Sequence, residues 1–67
     1  MNISINNQQH TVIDNTTLQT LVTHQLGDKQ KGVAVAINDM VIPKASWNTH
    51  TLQANDAVLI IKATQGG

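Results

Sequence analysis

Apolar residues first recur along the chain with a period of two. In "NISIN", Ile3 and Ile5 fall on one side and Asn2, Ser4 and Asn6 on the other, the alternation of a half-buried strand. Asn7-Gln8 offers a tight turn, because Asn tolerates the left-handed region, and "QHTVI" then reads as a second, antiparallel strand. The period next lengthens. Within "DNTTLQTLVTHQLGD", Leu18, Leu21, Val22 and Leu26 lie on one helical stripe. Thr16 and Gln19 form a capping-box pattern, and Gly27 supplies a C-terminal stop. Thr17, Thr20 and Thr23 lower the intrinsic propensity, so packing must hold this helix.

After the polar loop "DKQKG", alternation returns. In "VAVAIN", Val33, Val35 and Ile37 share one face and Ala34, Ala36 and Asn38 the other. Asn38-Asp39 is a hairpin signal leading into a short strand "MVIP", which Pro43 ends or confines to an edge. "KASWNTHTLQAND" is irregular, with one helical turn predicted around Trp47. Ala57 to Thr64 reads as the last strand. Its "VLIIK" is apolar on both faces, Val58 and Ile60 against Leu59 and Ile61, which places it in the middle of a sheet. The pattern predicts an α+β domain: a mixed sheet of four to five strands with one helix packed across one face. One helix covers one face only, so Leu59 and Ile61 are either exposed or covered by a partner.

At 67 residues the chain holds one domain with a small core. It has no cysteine, so disulfides and thiolate metal sites are excluded. Its four lysines balance four aspartates, and no basic patch for nucleic acid emerges. No apolar run reaches the ~20 residues of a membrane span, and "MNISINNQQH" has neither the charged nor the apolar region of a signal peptide. The expected location is the cytoplasm. His10, His24 and His50 are dispersed, the aspartates fall in turns, and neither serine sits in a nucleophile elbow. No catalytic constellation is present, which points to a substrate, carrier or binding module. Trp47, the sole aromatic residue, reads as a core plug rather than an interface anchor. The ending Gly66-Gly67 carries a different chemistry. Two residues without Cβ can thread a narrow channel, and the unhindered terminal carboxylate suits activation by another enzyme.

These residues together resemble the ThiS family of sulfur carriers, within the ubiquitin-like β-grasp superfamily. Ala34, Ala36, Ile37, Asn38, Ile42, Pro43, Lys44 and Trp47 fill the family pattern A-x-A-[LIV]-N-x-x-x-[VI]-P-[RK]-x-x-W. Asp56 fills the last acidic position of a D-G-D turn, and Gly66-Gly67 the terminal GG. Two positions depart. "AND" at Ala54 to Asp56 replaces D-G-D, which predicts a slightly altered turn, and Lys44 replaces the commoner arginine.

The resemblance implies a β-grasp domain over residues 1–63 and a flexible tail from Thr64 to Gly67, with Gln65, Gly66 and Gly67 as its site residues. It implies a protein co-substrate rather than an enzyme, binding no cofactor or metal itself and monomeric when free. A ThiF-like adenylating enzyme, using ATP and Mg, would activate the carboxylate of Gly67. A sulfur donor linked to a cysteine desulfurase would convert it to a thiocarboxylate. A ThiG-like thiazole synthase would then accept the sulfur into the thiazole of thiamin. Leu59, Ile61, Ala34 and Ala36 form the expected docking patch for both partners. Two other readings share the tail: a carrier like the small subunit of molybdopterin synthase, and a ubiquitin-like protein modifier. A plain binding module with a fortuitous Gly-Gly end is a third.

Overall fold

The strand richest in apolar residues takes the central place in the sheet. In the computed structural model, which describes residues 1–62, the strands are β1 (Asn2–Ile5), β2 (Gln8–Thr11), β3 (Val33–Ile37), β4 (Met40–Val41) and β5 (Ala57–Lys62). Their order across the sheet is β2-β1-β5-β3-β4. β5 runs parallel to β1 and antiparallel to β3, while the two outer pairs are antiparallel hairpins. One helix, α1 (Leu18–Leu26), follows β2, and a 3-10 turn (Lys44–Ser46) leads into Trp47. This is the predicted α+β architecture, with five strands. The expected continuation of β5 to Thr64, and the tail at 64–67, lie outside the described residues.

Both hairpins close on paired left-handed residues, Asn6 (φ 50) with Asn7 (φ 68) and Asn38 (φ 50) with Asp39 (φ 69). This is the backbone of a two-residue type I′ turn, which matches the twist of the flanking strands. The first turn therefore falls one residue earlier than Asn7-Gln8. β2 in turn stops at Thr11, short of the predicted Val12 and Ile13, and the Ile13 side chain is 81% exposed. β4 comprises Met40 and Val41 alone, because the chain turns inward at Ile42, which is buried, and then meets Pro43. Asn55 (φ 69) occupies the glycine position of the D-G-D turn. Asn is among the side chains that tolerate that conformation.

The helix starts by a different device from the expected capping box. Thr17 is the N-cap: its hydroxyl accepts from the Thr20 N–H at 3.2 Å, and its carbonyl accepts from the Leu21 N–H at 3.1 Å. Thr16 is buried and donates its hydroxyl to the Ile13 carbonyl, while Gln19 reaches Thr23 and Gln30. The two remaining orphan donors of the first turn are satisfied from the 47–52 loop. The Leu18 N–H reaches the His50 carbonyl at 2.8 Å and the Gln19 N–H the Trp47 carbonyl at 2.9 Å. The Leu18, Gln19 and Thr20 N–H groups, which have no partner within the helix, are thereby all satisfied, which offsets the weak propensity of a threonine-rich segment. Gly27, at φ 58, ends the helix as expected.

Leu18, Leu21 and Val22 face Ile3, Ile5, Val35, Ile37 and Val58 across a single core. Trp47 plugs its edge. The ring is 1% exposed, its Nε1–H donates to the Ile42 carbonyl at 2.9 Å, and the Lys44 ammonium stands 5.8 Å from its centroid. A buried indole with its polar atom satisfied is a core group with a polar handle, and Lys44 covers it with its stem and charge. Removing it should be decisive. Trp→Ala in a core costs about 3–5 kcal/mol, against a total stability of roughly 3–10 kcal/mol for a domain this size. Trp47→Ala is expected to be largely unfolded at room temperature by circular dichroism; a cooperative melt close to that of the parent chain would show that Trp47 is not the plug.

Candidate functional site

With the helix on one face, no other described element covers the opposite face of the sheet. Register fixes what stands there. Ala34 pairs with Ile61 and Ala36 with Leu59 across β3 and β5, and Ala36 also pairs with Val41 of β4. Paired residues project to the same side of a sheet, so Leu59, Ala36 and Val41 form a row across three strands. Ile61 and Ala34 form the row beside it. Leu59 is 46% and Ile61 48% exposed. The same face turns polar across β1 and β2, where Asn2 pairs with Thr11 and Ser4 with Gln9. The apolar half is therefore bounded by a polar half.

Ala34 is exposed, but Ala36 is buried at 7% exposure, unlike the open position expected from alternation alone. A methyl group between the larger Leu59 and Val41 has neighbours on both sides, which is why its strand position does not make it accessible. Val41, 67% exposed, is the patch residue that the sequence did not single out. Its side follows from its pairing with Ala36, and the apolar character of "MVIP" was the available signal.

The patch reaches the last described residues. Lys62 is paired with Val33, beside the Ala34–Ile61 pair. Gln65, Gly66 and Gly67 themselves lie outside the described residues.

Asn38 and Asp56 hold this arrangement from below. The Asn38 amide donates to an Asp56 carboxylate oxygen at 3.1 Å and accepts from the Ala57 N–H at 2.9 Å. The second Asp56 oxygen accepts from the Gln53 N–H at 2.8 Å. Backbone bonds lock the same junction: the Asn38 N–H to the Ala57 carbonyl and the Ser4 N–H to the Asp56 carbonyl, both 2.9 Å. Asp56 is 7% exposed, and a buried carboxylate is tolerated only when its oxygens are bonded. The knot thus ties the β3–β4 turn and the end of the 47–56 segment to the first residue of β5. The spaced asparagine and aspartate are structural: they set where β5 begins and hence its register.

Among the described residues no group of three or more histidine, cysteine or carboxylate side chains is placed to hold a metal. His10 and His24, distant in sequence, do line one cleft of about 350 Å³ between β2 and α1, together with Val12, Ile13 and Leu21. His50 stands apart from them.

Known proteins share both the sequence and the shape. The family model of the ThiS family matches residues 3–67. The chain is 33% identical over 67 residues to the sulfur carrier protein ThiS of Escherichia coli (strain K12), covering 100% of both chains. It superposes with a TM-score of 0.85 on the crystal structure of a thiamine biosynthesis protein (ThiS) from Geobacter metallireducens, at 23% identity and with both chains fully covered. The solution structure of a thiamine biosynthesis protein from the same organism gives a TM-score of 0.80, at 23% identity, with 88% of that chain covered. These two likenesses establish the β-grasp fold.

The knot makes a testable claim about register. Asn38→Gly keeps the left-handed turn but leaves the Asp56 oxygen and the Ala57 N–H unpartnered. It is expected to lower the unfolding free energy by about 1–3 kcal/mol in urea titrations; an unchanged midpoint would show that the bonds contribute nothing net.

Proposed function

The chain belongs to the ThiS family, and from that premise we propose that it is the sulfur carrier for thiazole formation in thiamin biosynthesis. The observation that carries this reading is a family match running through Gly67, joined to full-length identity with a sulfur carrier protein. The reacting group is the carboxylate of Gly67. One of its oxygens attacks the α-phosphate of ATP in a ThiF-like activating enzyme that supplies Mg, and pyrophosphate leaves. The terminal sulfur of a persulfide formed by a cysteine desulfurase then attacks the acyl carbon, and AMP departs to leave an acyl disulfide. A thiol attacks the sulfur of that disulfide distal to the acyl group, forming a new disulfide and releasing the thiocarboxylate for a ThiG-like thiazole synthase. The carrier is a co-substrate in this scheme and binds no cofactor of its own. These are reactions of the cytoplasm, and the free carrier works as a monomer.

The chemistry asks two things of the chain. The terminus must enter a narrow site, which Gly66 and Gly67 permit by having no Cβ. The body must dock so that entry is effectively intramolecular. Leu59 and Ile61, with Ala34 beside them and Val41 at the edge, offer an apolar surface adjoining the last described residues of β5. Apolar patches rimmed by polar residues are the usual form of a partner surface. Ala36 contributes as filling between Leu59 and Val41 rather than as an open contact. No observation in the body of the domain favours the molybdopterin or protein-modifier readings over this one.

Two variants separate docking from chemistry. Leu59→Asp or Ile61→Asp adds a charge to an exposed position, so the melting temperature should change little while adenylation is abolished. Normal adenylation of these variants would remove the docking role. Deleting Gly67 should leave the fold intact and eliminate thiocarboxylate formation; loading of that truncated chain would refute the carrier reading.

A further inference from the structure

We infer that Asn6 is a positioning residue for the tail, acting through the last bonds that β5 makes to its parallel neighbour. The inference rests on the carrier reading above. In the β1–β5 ladder, Ser4 pairs with Ala57 and Ile5 with Val58, and the Asn6 N–H donates to the Val58 carbonyl at 2.9 Å. The next bond of a parallel ladder would run from the Ile60 N–H to the main-chain carbonyl of Asn6. The backbone cannot supply it, because the chain has already turned away with Asn6 and Asn7 at positive φ.

The Asn6 side chain supplies it instead. Its Oδ1 accepts from the Ile60 N–H at 2.8 Å, and its Nδ2 reaches the Ile60 carbonyl at 3.4 Å. One carboxamide thus imitates a further residue of β1 and extends the ladder by one step. Past Ile60, the pairings among the described residues are to β3, Ala34–Ile61 and Val33–Lys62. Asn6 therefore makes the last described bonds to β5 from the β1 side, two residues before the last described position. It anchors the strand at Ile60, seven positions before the carboxylate of Gly67. Asn meets both demands of the position. It accepts the left-handed backbone of the turn, and its amide carries an acceptor and a donor at once.

The docking patch on β5 and β3 is untouched by this side chain, so binding and presentation should separate. Asn6→Gly keeps the turn and removes the clamp; Asn6→Asp keeps the acceptor for the Ile60 N–H. Steady-state adenylation by the cognate ThiF-like enzyme, with hydrogen exchange on each protein, tests the assignment. In Asn6→Gly, kcat should fall by roughly tenfold or more, the scale of a displaced reacting group, with KM little changed. The Ile60 amide should exchange faster while that of Val58 stays protected. Asn6→Asp should restore most of kcat. Wild-type kcat in Asn6→Gly, a loss confined to KM, or an equal loss in Asn6→Asp would each overturn the positioning role while leaving the carrier reading standing. Absence of adenylation in the parent chain would overturn the carrier reading, and this inference with it.

Discussion

The placement of β5 in the middle of the sheet is the constraint on which the rest depends. The strand that leads to the tail is hydrogen-bonded on both edges, parallel to β1 and antiparallel to β3. One face is packed into the core through Val58, which is 2% exposed. A strand so held has little freedom to slip, since a one-residue shift would turn Val58 outward and Leu59 inward. The result is a rigid strand up to the last described residues. In the carrier reading it serves as the handle for a terminus presented to another protein's active site, because flexibility in the body would dilute the terminus in space.

Several polar side chains maintain that placement from different directions. Asn38 and Asp56 fix the start of β5, and Asn6 grips it at Ile60. Trp47 seals the core while its carbonyl helps to cap α1, so the 47–52 segment serves both the sheet and the helix. Apolar burial forbids a one-residue slip, but a two-residue slip leaves the faces unchanged, and it is against that slip that the bonded polar groups add specificity of register. The residues that most resemble a functional motif, from Asn38 to Trp47 and on to Asp56, are accordingly those that build the handle. In the carrier reading the chemistry falls to the two terminal glycines.

Much of this was legible in the residues themselves. Ile3 and Ile5, the stripe of Leu18, Leu21 and Val22, and the doubly apolar "VLIIK" specify the elements and the central strand, because burial acts on each residue through its local period. What was not legible depends on pairing across the chain. Two adjacent asparagines satisfy the first turn equally well, so its position at Asn6-Asn7 is set by the Ile5–Gln8 pairing. The helix start at Thr17 reflects carbonyls, in a loop about thirty residues away, that accept from the Leu18 and Gln19 N–H groups. The burial of Ala36 requires Val41 and Leu59 on either side. The Asn6–Ile60 clamp spans a separation of 54 positions, and an asparagine beside a turn is already explained by the turn.

The central claim is chemical: the body exists to present the carboxylate of Gly67 for exchange of oxygen by sulfur. Whole-protein mass spectrometry of the chain after incubation with ATP, Mg, a ThiF-like activating enzyme and a cysteine desulfurase with cysteine tests it most directly. The account predicts a species heavier by the difference between one sulfur and one oxygen, located in the C-terminal peptide and absent when ATP is omitted. An unchanged mass, or a gain located at Met1 or Met40 by oxidation, would contradict it.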